Sequence, residues 1–184
     1  MTSLTASSIT LDNLQTAFNG ESNASARYAE FARKADEEGY LAIGSLFRAG
    51  SKAEEIHARN HAEVIRQMGA EPRAMIEPTV AKATTDNLLA AIDGEVFERD
   101  VMYPEFIKTA KANNEGPAVR TFTFALKTEA EHARLYTYAL KNMEKLRGAK
   151  TWYVCQVCGY TVEVLSFLKC LVCGHSKNDY LTIK

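Results

Sequence analysis

The sequence predicts a mainly helical protein: a four-helix bundle with one long crossover, followed by a small β domain built on a metal knuckle. Apolar residues recur at steps of three and four along four long segments, which is the pattern of amphipathic helices. Two Glu-x-x-His motifs interrupt these apolar stripes, and two Cys-x-x-Cys pairs lie within the last 30 residues. We therefore expect two domains, at residues 1–148 and 149–184, each organised around a metal site.

The composition of the 184-residue chain excludes several classes of partner. Its formal net charge is −1, so no nucleic acid is expected as a partner. The apolar stretches are too short to span a membrane, and we expect no signal peptide from the polar first ten residues. All four cysteines stand in Cys-x-x-Cys pairs, which favours a metal site in a reducing compartment. We expect a cytoplasmic location.

The periodic segments place the helices at about residues 10–38, 41–68, 85–113 and 116–147. Pro72 and Pro78 break the segment 69–83, which we expect to be the crossover. Pro104 lies inside the third helix and is expected to kink it. Short β-branched and aromatic runs at 151–154, 160–165 and 180–183 predict the strands of the small domain.

The Glu-x-x-His motifs are Glu54–His57 and Glu129–His132, and they stand 75 residues apart. On a helix this spacing places both side chains on one face. Glu21 and Glu95 lie on the apolar stripes of the preceding helices, so each of the four helices contributes ligands. This pattern is the ligand set described for ferritin-like di-iron and di-manganese bundles.

The charge of these residues favours a pair of cations. A lone helical Glu is usually solvated, but with Glu98 five carboxylates converge on one level of the core. Burying that much unpaired charge is strongly unfavourable, whereas two divalent cations nearly balance it. Carboxylates with two imidazoles suit iron or manganese. We expect bridging ligands and terminal ligands, with Glu54 and Glu129 as the bridges and Glu21 and Glu95 as terminal ligands.

Three kinds of residue near this site leave alternatives open. Glu98 has no carboxylate counterpart in the first half, so it is either a surplus ligand that exchanges with a histidine or a residue beside the site. His61 follows His57 by one turn and is either half of a zinc pair or a core histidine. Tyr28 and Tyr103 are either core aromatics or donors to the ligand carboxylates.

The two halves resemble a duplication. Tyr28–Phe31 matches Tyr103–Phe106 with an offset of 75 residues, whereas Glu21 and Glu95 differ by 74. One extra residue therefore lies between Glu95 and Tyr103. We predict a π-bulge there, because such single insertions occur inside helices at functional sites.

The second metal site is a set of four cysteines: Cys155, Cys158, Cys170 and Cys173. Their spacing is a strong tetrathiolate signal, and Gly159 and Gly174 follow the pairs. The spacing suits Zn²⁺ or Fe, and a zinc ribbon is the more common answer. A redox di-iron site needs electrons one at a time, which favours a mononuclear Fe(Cys)₄ centre.

Together these motifs resemble the rubrerythrin family over nearly the whole chain. The matching segments are Gly20–Ser22, Glu54–His57, Gly94–Glu98 with Met102–Pro104, Glu129–His132, Trp152–Tyr160 and Cys170–Cys173. The resemblance implies a ferritin-like bundle with a non-haem di-iron site and a rubredoxin-like domain with one iron. It also implies a peroxidase that reduces hydrogen peroxide to water in oxidative-stress defence, with electrons from an external reductase or rubredoxin.

The resemblance further implies a homodimer in which the rubredoxin-like domain approaches the partner's di-iron site. It maps the exchange of ligands at one iron onto Glu98 and His57, and makes Tyr28 and Tyr103 hydrogen-bond donors to the ligands. Two other functions remain open: a ferroxidase or oxygen-reducing oxidase, and an iron-binding protein with a structural zinc knuckle.

The C-terminal domain departs from the family pattern in two places. Leu171 follows Cys170, where the family usually has proline. The segment 161–169 is more apolar than usual, with Val162, Val164, Leu165, Phe167 and Leu168. We expect this segment to pack on the bundle or on a partner subunit.

Overall fold

A computed structural model describes residues 6–184 of the chain, with five α-helices and a small sheet. The helices are α1 (Ala6–Glu37), α2 (Leu41–Gln67), α3 (Thr84–Phe97), α4 (Tyr103–Ala112) and α5 (Gly116–Lys141). The π-helical turn Glu98–Met102 joins α3 to α4, and a 3₁₀ turn at Met143–Leu146 follows α5. The long crossover falls between α2 and α3, as predicted.

The turn from α1 to α2 is short because Gly39 adopts the left-handed conformation, with φ 80°. The backbone N–H of Gly39 donates to Asp36 O, and that of Tyr40 donates to Ala35 O. These bonds satisfy carbonyls that would otherwise be unpaired at the end of α1. The two helices therefore run antiparallel and form the largest helix–helix contact of the bundle.

The crossover after α2 is extended but is held along α1 by polar side chains. Asn19 Oδ1 accepts from the Met75 N–H at 2.8 Å, and Asn23 Oδ1 accepts from the Glu77 N–H at 2.8 Å. Gln15 Nε2 donates to the Glu71 carbonyl at 2.7 Å. These three side chains recur every four residues, so one face of α1 fixes a loop that has no secondary structure.

The third predicted helix contains the predicted π-bulge. The helix is regular to Phe97, and then the N–H of Tyr103 donates to Glu98 O, five residues back. The wider turn absorbs the one extra residue between Glu95 and Tyr103. The side chains of both residues therefore point into the bundle, where each is at most 1% exposed.

The core of the bundle has two apolar clusters. One contains Phe31, Phe47 and Trp152, and the other contains Leu14, Ile65 and Phe122. Buried Glu and His side chains lie among these clusters.

Within the described part of the chain no helix is both long and apolar enough to cross a membrane.

The C-terminal domain is a three-stranded antiparallel sheet in the order β2-β1-β3. The strands are β1 (Trp152–Cys155), β2 (Thr161–Val162) and β3 (Tyr180–Ile183). Trp152 and Val154 are at most 2% exposed and belong to one of the apolar clusters of the bundle. The small domain therefore shares a core with the helices.

One expectation for the segment after β2 is corrected. The predicted strand 160–165 ends at Val162, since β1 is paired only with Thr161 and Val162 on that side. Val164 is 63% and Leu168 is 77% exposed, so these two side chains do not pack on their own bundle, and packing on a partner subunit stays a prediction. Only Phe167 finds an aromatic neighbour, Tyr180 of the same domain, at a centroid distance of 5.6 Å.

Candidate metal centres

Four helices bring six buried Glu and His side chains together. Their side chains are at most 2% exposed, and their ligand atoms form two overlapping groups within 4.8 Å. We call these the His57 set (Glu21, Glu54, His57 and Glu129) and the His132 set (Glu54, Glu95, Glu129 and His132).

The His57 set surrounds one imidazole nitrogen with carboxylate oxygens. His57 Nδ1 lies 2.9 Å from Glu54 Oε2 and 2.9 Å from Glu129 Oε1. Glu21 Oε1 is 3.7 Å from the same nitrogen. One imidazole nitrogen and three carboxylates from three helices thus converge on one point, and Glu21 Oε2 is left without a hydrogen-bond partner.

The His132 set repeats this arrangement with the other oxygens of the shared residues. His132 Nδ1 lies 3.2 Å from Glu54 Oε1, 2.9 Å from Glu129 Oε2 and 3.6 Å from Glu95 Oε2. Glu54 and Glu129 therefore each offer one oxygen to either set. This is the geometry that a bridging carboxylate requires.

Unpartnered polar atoms show that these sets fit cations. Buried polar atoms in proteins nearly always have a hydrogen-bond partner. Here several buried atoms lack one, and they cluster at this site: Glu21 Oε2, Glu54 Oε1, Glu95 Oε2, both oxygens of Glu129 and His132 Nδ1. Two cations with carboxylate and imidazole ligands would satisfy all of them.

The electrostatics of the site are those of a crowded carboxylate cluster. Burial, with Glu54 and Glu129 nearby, raises the pKa of Glu95 to about 8. Burial and the negative charge of Glu98 raise the pKa of Glu21 well above its usual value. Burial disfavours charge on His57, but Glu129 and Glu54 outweigh it and raise its pKa to about 10. Without a cation, protons thus neutralise the cluster.

Tyr28 and Tyr103 are core residues and also donors to the carboxylates. The Tyr28 hydroxyl donates to Glu95 Oε1 at 2.6 Å, and the Tyr103 hydroxyl donates to Glu21 Oε1. Each tyrosine thus binds the glutamate of the opposite half of the chain. Such donors orient the carboxylates before any metal binds.

Glu98 lies beside these residues but belongs to neither set. It begins the π-helical turn and is partly buried. Burial and the charges of Glu129 and Glu95 raise its pKa well above the usual value. The negative charge of Glu98 in turn contributes to the raised pKa of Glu21.

His61 is a core histidine, and within the described residues it joins neither set. It is fully buried, with Nε2 at 3.1 Å from the Tyr103 hydroxyl and Nδ1 at 3.0 Å from Thr121 Oγ1. Burial and the neighbouring His57 lower the pKa of His61 to about 3, so the imidazole is neutral. The zinc-pair alternative is therefore not supported.

The four cysteines form the second site, and all are free thiols. Cys155 Sγ lies 3.6 Å from Cys173 Sγ, and Cys158 Sγ lies 3.6 Å from Cys170 Sγ. A tetrahedral ion with bonds of about 2.3 Å separates its sulfur ligands by about 3.8 Å, so the cluster fits one metal ion.

The two cysteine pairs adopt the same turn. The N–H of Gly159 donates to Cys155 O at 2.8 Å, and that of Gly174 donates to Cys170 O at 3.0 Å. Both glycines are left-handed, with φ 80° and 76°. The identical bonding makes each Cys-x-x-Cys-Gly segment one half of a symmetric metal knuckle.

The two sites meet at the junction between the domains. His57 Nε2 lies 3.0 Å from the Cys158 carbonyl oxygen, which therefore accepts its hydrogen when Nδ1 holds a metal. His132 Nε2 lies 3.1 Å from Thr161 Oγ1, and Thr128 Oγ1 donates to Cys158 O at 3.1 Å. Both candidate ligand imidazoles are thus fixed by the small domain of their own chain.

Sequence reasoning missed the residues of this junction. Thr128 and Thr161 carry no spacing signal, and the Cys158 carbonyl is a backbone atom present at any residue. Gly159 was singled out only for the knuckle turn. A Cβ at that position would lie 2.5 Å from His57 Nε2, so the residue also permits the close approach. Only the contacts between the two domains in the folded protein show that these residues position the imidazoles of His57 and His132.

The fold and the two sites define a class of protein: a carboxylate-bridged di-metal helical bundle with an appended tetrathiolate domain. The family model for rubrerythrin matches residues 12–140. Rubrerythrin-2 of Clostridium acetobutylicum is 35% identical over 176 residues, covering 94% of this chain and 95% of that protein. Nigerythrin of Nitratidesulfovibrio vulgaris is 36% identical over 182 residues, covering 97% and 88%. The chain belongs to the rubrerythrin family.

A solved structure of this group has the same fold. Fully reduced, all-ferrous nigerythrin superposes with a TM-score of 0.87 at 34% identity, covering 94% of this chain and 86% of that one. The predicted ferritin-like bundle and rubredoxin-like knuckle are therefore confirmed. The predicted cofactors, two non-haem irons and one metal ion on four cysteines, agree with this family and with the two groups of buried ligand atoms.

Proposed function

We propose that the chain is a peroxidase that reduces hydrogen peroxide to water at the carboxylate–histidine cluster. One peroxide molecule takes up two electrons and two protons and gives two water molecules. Bound iron would supply the electrons that split the O–O bond. Membership of the rubrerythrin family and the oxygen-rich donor set support this reaction, and a role in oxidative-stress defence follows from it.

The ligand roles proposed here follow from the distances to the two imidazoles. Glu54 and Glu129 would be shared by the two irons, because each presents one oxygen to each imidazole. Glu21 and His57 would hold one iron, and Glu95 and His132 would hold the other. Tyr103 and Tyr28 hold Glu21 and Glu95 in place by hydrogen bonds.

The observation that best supports electron relay is the contact between His57 Nε2 and the Cys158 carbonyl oxygen at 3.0 Å. Cys158 is a candidate ligand of the four-cysteine iron, and His57 is a candidate ligand of the di-iron site. One hydrogen bond and a few covalent bonds therefore connect the two centres.

Glu98 is the proposed partner of His57 in a ligand exchange. Glu98 begins the π-helical turn beside the cluster, and its charge contributes to the raised pKa of Glu21. His57 is the one imidazole that is linked to the cysteine domain through a ligand residue. A more highly charged, harder iron favours the carboxylate, whereas a reduced iron tolerates the imidazole.

The proposed partners are hydrogen peroxide and an external electron donor, either a reductase or a rubredoxin. Electrons would enter at the outer side of the cysteine site, where Cys173 is the least buried of the four ligands. A homodimer remains a prediction. The resemblance implies that the cysteine domain serves a partner subunit, whereas here it lies against its own bundle, so relay within one chain is geometrically available.

The decisive experiment is an anaerobic mixing experiment followed by visible absorption. The iron-loaded protein is fully reduced and then mixed with stoichiometric hydrogen peroxide or, in parallel, with oxygen. We expect the ferric tetrathiolate colour to return rapidly with peroxide and slowly with oxygen. Faster reaction with oxygen would instead identify an oxidase or ferroxidase, and absence of the colour would identify a zinc knuckle.

A single substitution tests the electron relay from the cysteine site to the bundle. Cys158→Ser should retain the bundle's two irons and one round of peroxide reduction, but should lose repeated turnover with an external donor. Arg59→Ala offers a matched control, because it removes only an exposed hydrogen bond to the Gln156 carbonyl at the same junction. Full turnover of Cys158→Ser would refute the relay.

A further inference from the structure

A groove of about 410 Å³ opens between α2 and α5, next to the cysteine domain. Its lining includes Asn60, Glu63, Gln67, Arg120, Thr121 and Phe124. The groove is open to solvent and carries polar side chains on otherwise apolar walls, so water reaches it. Thr121 is the lining residue that leads inward, since its side chain is only 6% exposed.

A continuous chain of hydrogen bonds runs from this groove to the His57 set. Thr121 Oγ1 lies 3.0 Å from His61 Nδ1, and His61 Nε2 lies 3.1 Å from the Tyr103 hydroxyl. The Tyr103 hydroxyl donates to Glu21 Oε1. His61 and Tyr103 are fully buried, so nothing but these groups connects Glu21 to the groove along this line.

In this chain of hydrogen bonds every hydrogen is donated in the direction from the groove to Glu21. Tyr103 uses its single hydrogen on Glu21, so its oxygen must accept a hydrogen from His61 Nε2. A neutral imidazole that carries its hydrogen on Nε2 has a lone pair on Nδ1. Nδ1 therefore accepts from the Thr121 hydroxyl, whose own oxygen is left to accept from water in the groove.

Building on the proposed peroxidase function, we propose that Thr121, His61 and Tyr103 conduct protons from the groove to Glu21. In one transfer the Tyr103 O–H bond breaks and its proton passes to Glu21 Oε1. Tyr103 takes the proton of His61 Nε2, His61 Nδ1 takes that of Thr121, and Thr121 takes one from a hydrated proton in the groove, which leaves neutral water. The net result is one proton moved from solvent to Glu21. The imidazole and both hydroxyls must then reorient, so protons arrive one at a time.

The other half of the molecule provides an internal comparison. The residue 75 positions after His61 is Tyr136, and its buried hydroxyl has no hydrogen-bond partner. Tyr28, the counterpart of Tyr103, is packed against Phe31, Phe47 and Tyr136. Among the described residues no chain of hydrogen-bonded side chains leads from Tyr28 to the surface. Protons would therefore enter only on the side of the His57 set.

The test compares variants that differ by one hydroxyl or one imidazole. Thr121→Val keeps the shape of the side chain and removes the hydroxyl, whereas Thr121→Ser keeps the hydroxyl. We expect reoxidation of the reduced, iron-loaded protein by peroxide to slow about tenfold in Thr121→Val and about a hundredfold in His61→Leu. Thr121→Ser should remain within about twofold of the wild type. Tyr136→Phe is the control, because that hydroxyl has no partner.

A second readout does not depend on activity. In the full-length protein loaded with Zn²⁺ as a diamagnetic ion, ¹⁵N NMR of the histidines should show His61 as the neutral Nε2–H tautomer. Tyr103→Phe should speed solvent exchange of that hydrogen. A His61 with its hydrogen on Nδ1, or a Thr121→Val variant that reacts like the wild type, would overturn the proposal. Failure of the wild type to react with peroxide would instead refute the proposed function itself.

Discussion

Gly159 meets two demands that no other residue type meets together. Its φ of 80° closes the first cysteine knuckle, and its lack of a Cβ lets the knuckle approach His57 Nε2. Gly174 closes the second knuckle with a φ of 76°, but a Cβ there would meet nothing within 4 Å. A side chain at either position would strain the backbone, but only a side chain at Gly159 would also disturb the contact between the domains.

Alanine at these two positions should have different effects. Both Gly159→Ala and Gly174→Ala incur the left-handed strain of about 1 kcal/mol. Gly159→Ala also forces the knuckle away from His57, so it should lose about 1–3 kcal/mol more stability and slow electron transfer between the sites. Urea unfolding and the rate of tetrathiolate reoxidation measure the two effects. Equal behaviour of the variants would mean that the contact with His57 is unimportant.

The metal ligands hold protons in the absence of metal, which makes metal binding pH-dependent. The pKa values of Glu95, about 8, and His57, about 10, are raised above pH 7, so both groups are protonated at neutral pH without a cation. A cation must displace those protons before it can bind. Affinity should therefore fall as pH falls below about 10, and more steeply below about 8, where Glu95 is protonated as well.

Titration of the metal-free protein with Zn²⁺ tests this dependence. At pH 7 binding in the bundle should release protons, and fewer should be released as the pH rises towards 10. Calorimetry in buffers of different ionisation enthalpy counts the protons. Glu95→Gln should release fewer, whereas Glu55→Gln, a change at an exposed position of α2, should match the wild type. Release that does not change with pH would contradict the assignment of the ligands.

At the scale of secondary structure, the π-helical turn sets the shape of the site. Two α-turns span about seven residues, which is the spacing from Glu21 to Tyr28, but Glu95 and Tyr103 are eight apart. The turn Glu98–Met102 absorbs the difference, so Tyr103 reaches Glu21 while Glu98 stays beside the cluster. The site is thus asymmetric because one helix contains one extra residue.

Deleting Val101 should restore a regular helix at this point. Val101 is 52% exposed, so its own side chain contributes little to the core. Without it Tyr103 should rotate by about 100° and lose its bond to Glu21, and the protein should bind less than two irons in the bundle. Iron analysis and thermal unfolding measure the effect, with Val101→Ala as the control. Full iron binding in the deletion variant would show that the turn is dispensable.

At the scale of the whole molecule, the small domain is held by a shared core and by its metal. Trp152 is 2% exposed, and its Nε1–H donates to the Ala42 carbonyl at 3.4 Å. Arg48 Nε donates to the Lys184 carbonyl at 2.6 Å, next to Ile183, which pairs with Trp152 at the same end of the sheet. The sheet itself is only three short strands, which is too small to be stable without a metal.

Trp152 is the only tryptophan of the chain, so its fluorescence reports on this packing. Protein without metal in the four-cysteine site should show red-shifted emission, because the domain loosens, while the far-ultraviolet circular dichroism of the helices is retained. Adding Zn²⁺ should restore the emission. Simultaneous loss of helicity would show that the bundle depends on the small domain.

Much of the fold and site was predictable because the signals are local. Helical periodicity and the Glu-x-x-His and Cys-x-x-Cys spacings depend on residues a few positions apart. The π-helical turn was predictable from one mismatch in an internal repeat. The strand 160–165 was predicted too long, since an apolar run by itself does not say where its pairing partner ends. The roles of the site residues as ligands stay proposals.

The sequence by itself determined the helices, the candidate ligand residues and the position of the π-bulge, because spacing along a helix or a tight turn fixes which side chains share a face. Only the tertiary structure decided that Tyr28 and Tyr103 bind glutamates of the opposite half, and that His57 meets the Cys158 carbonyl. These contacts join residues far apart in the chain, so they depend on how whole elements pack.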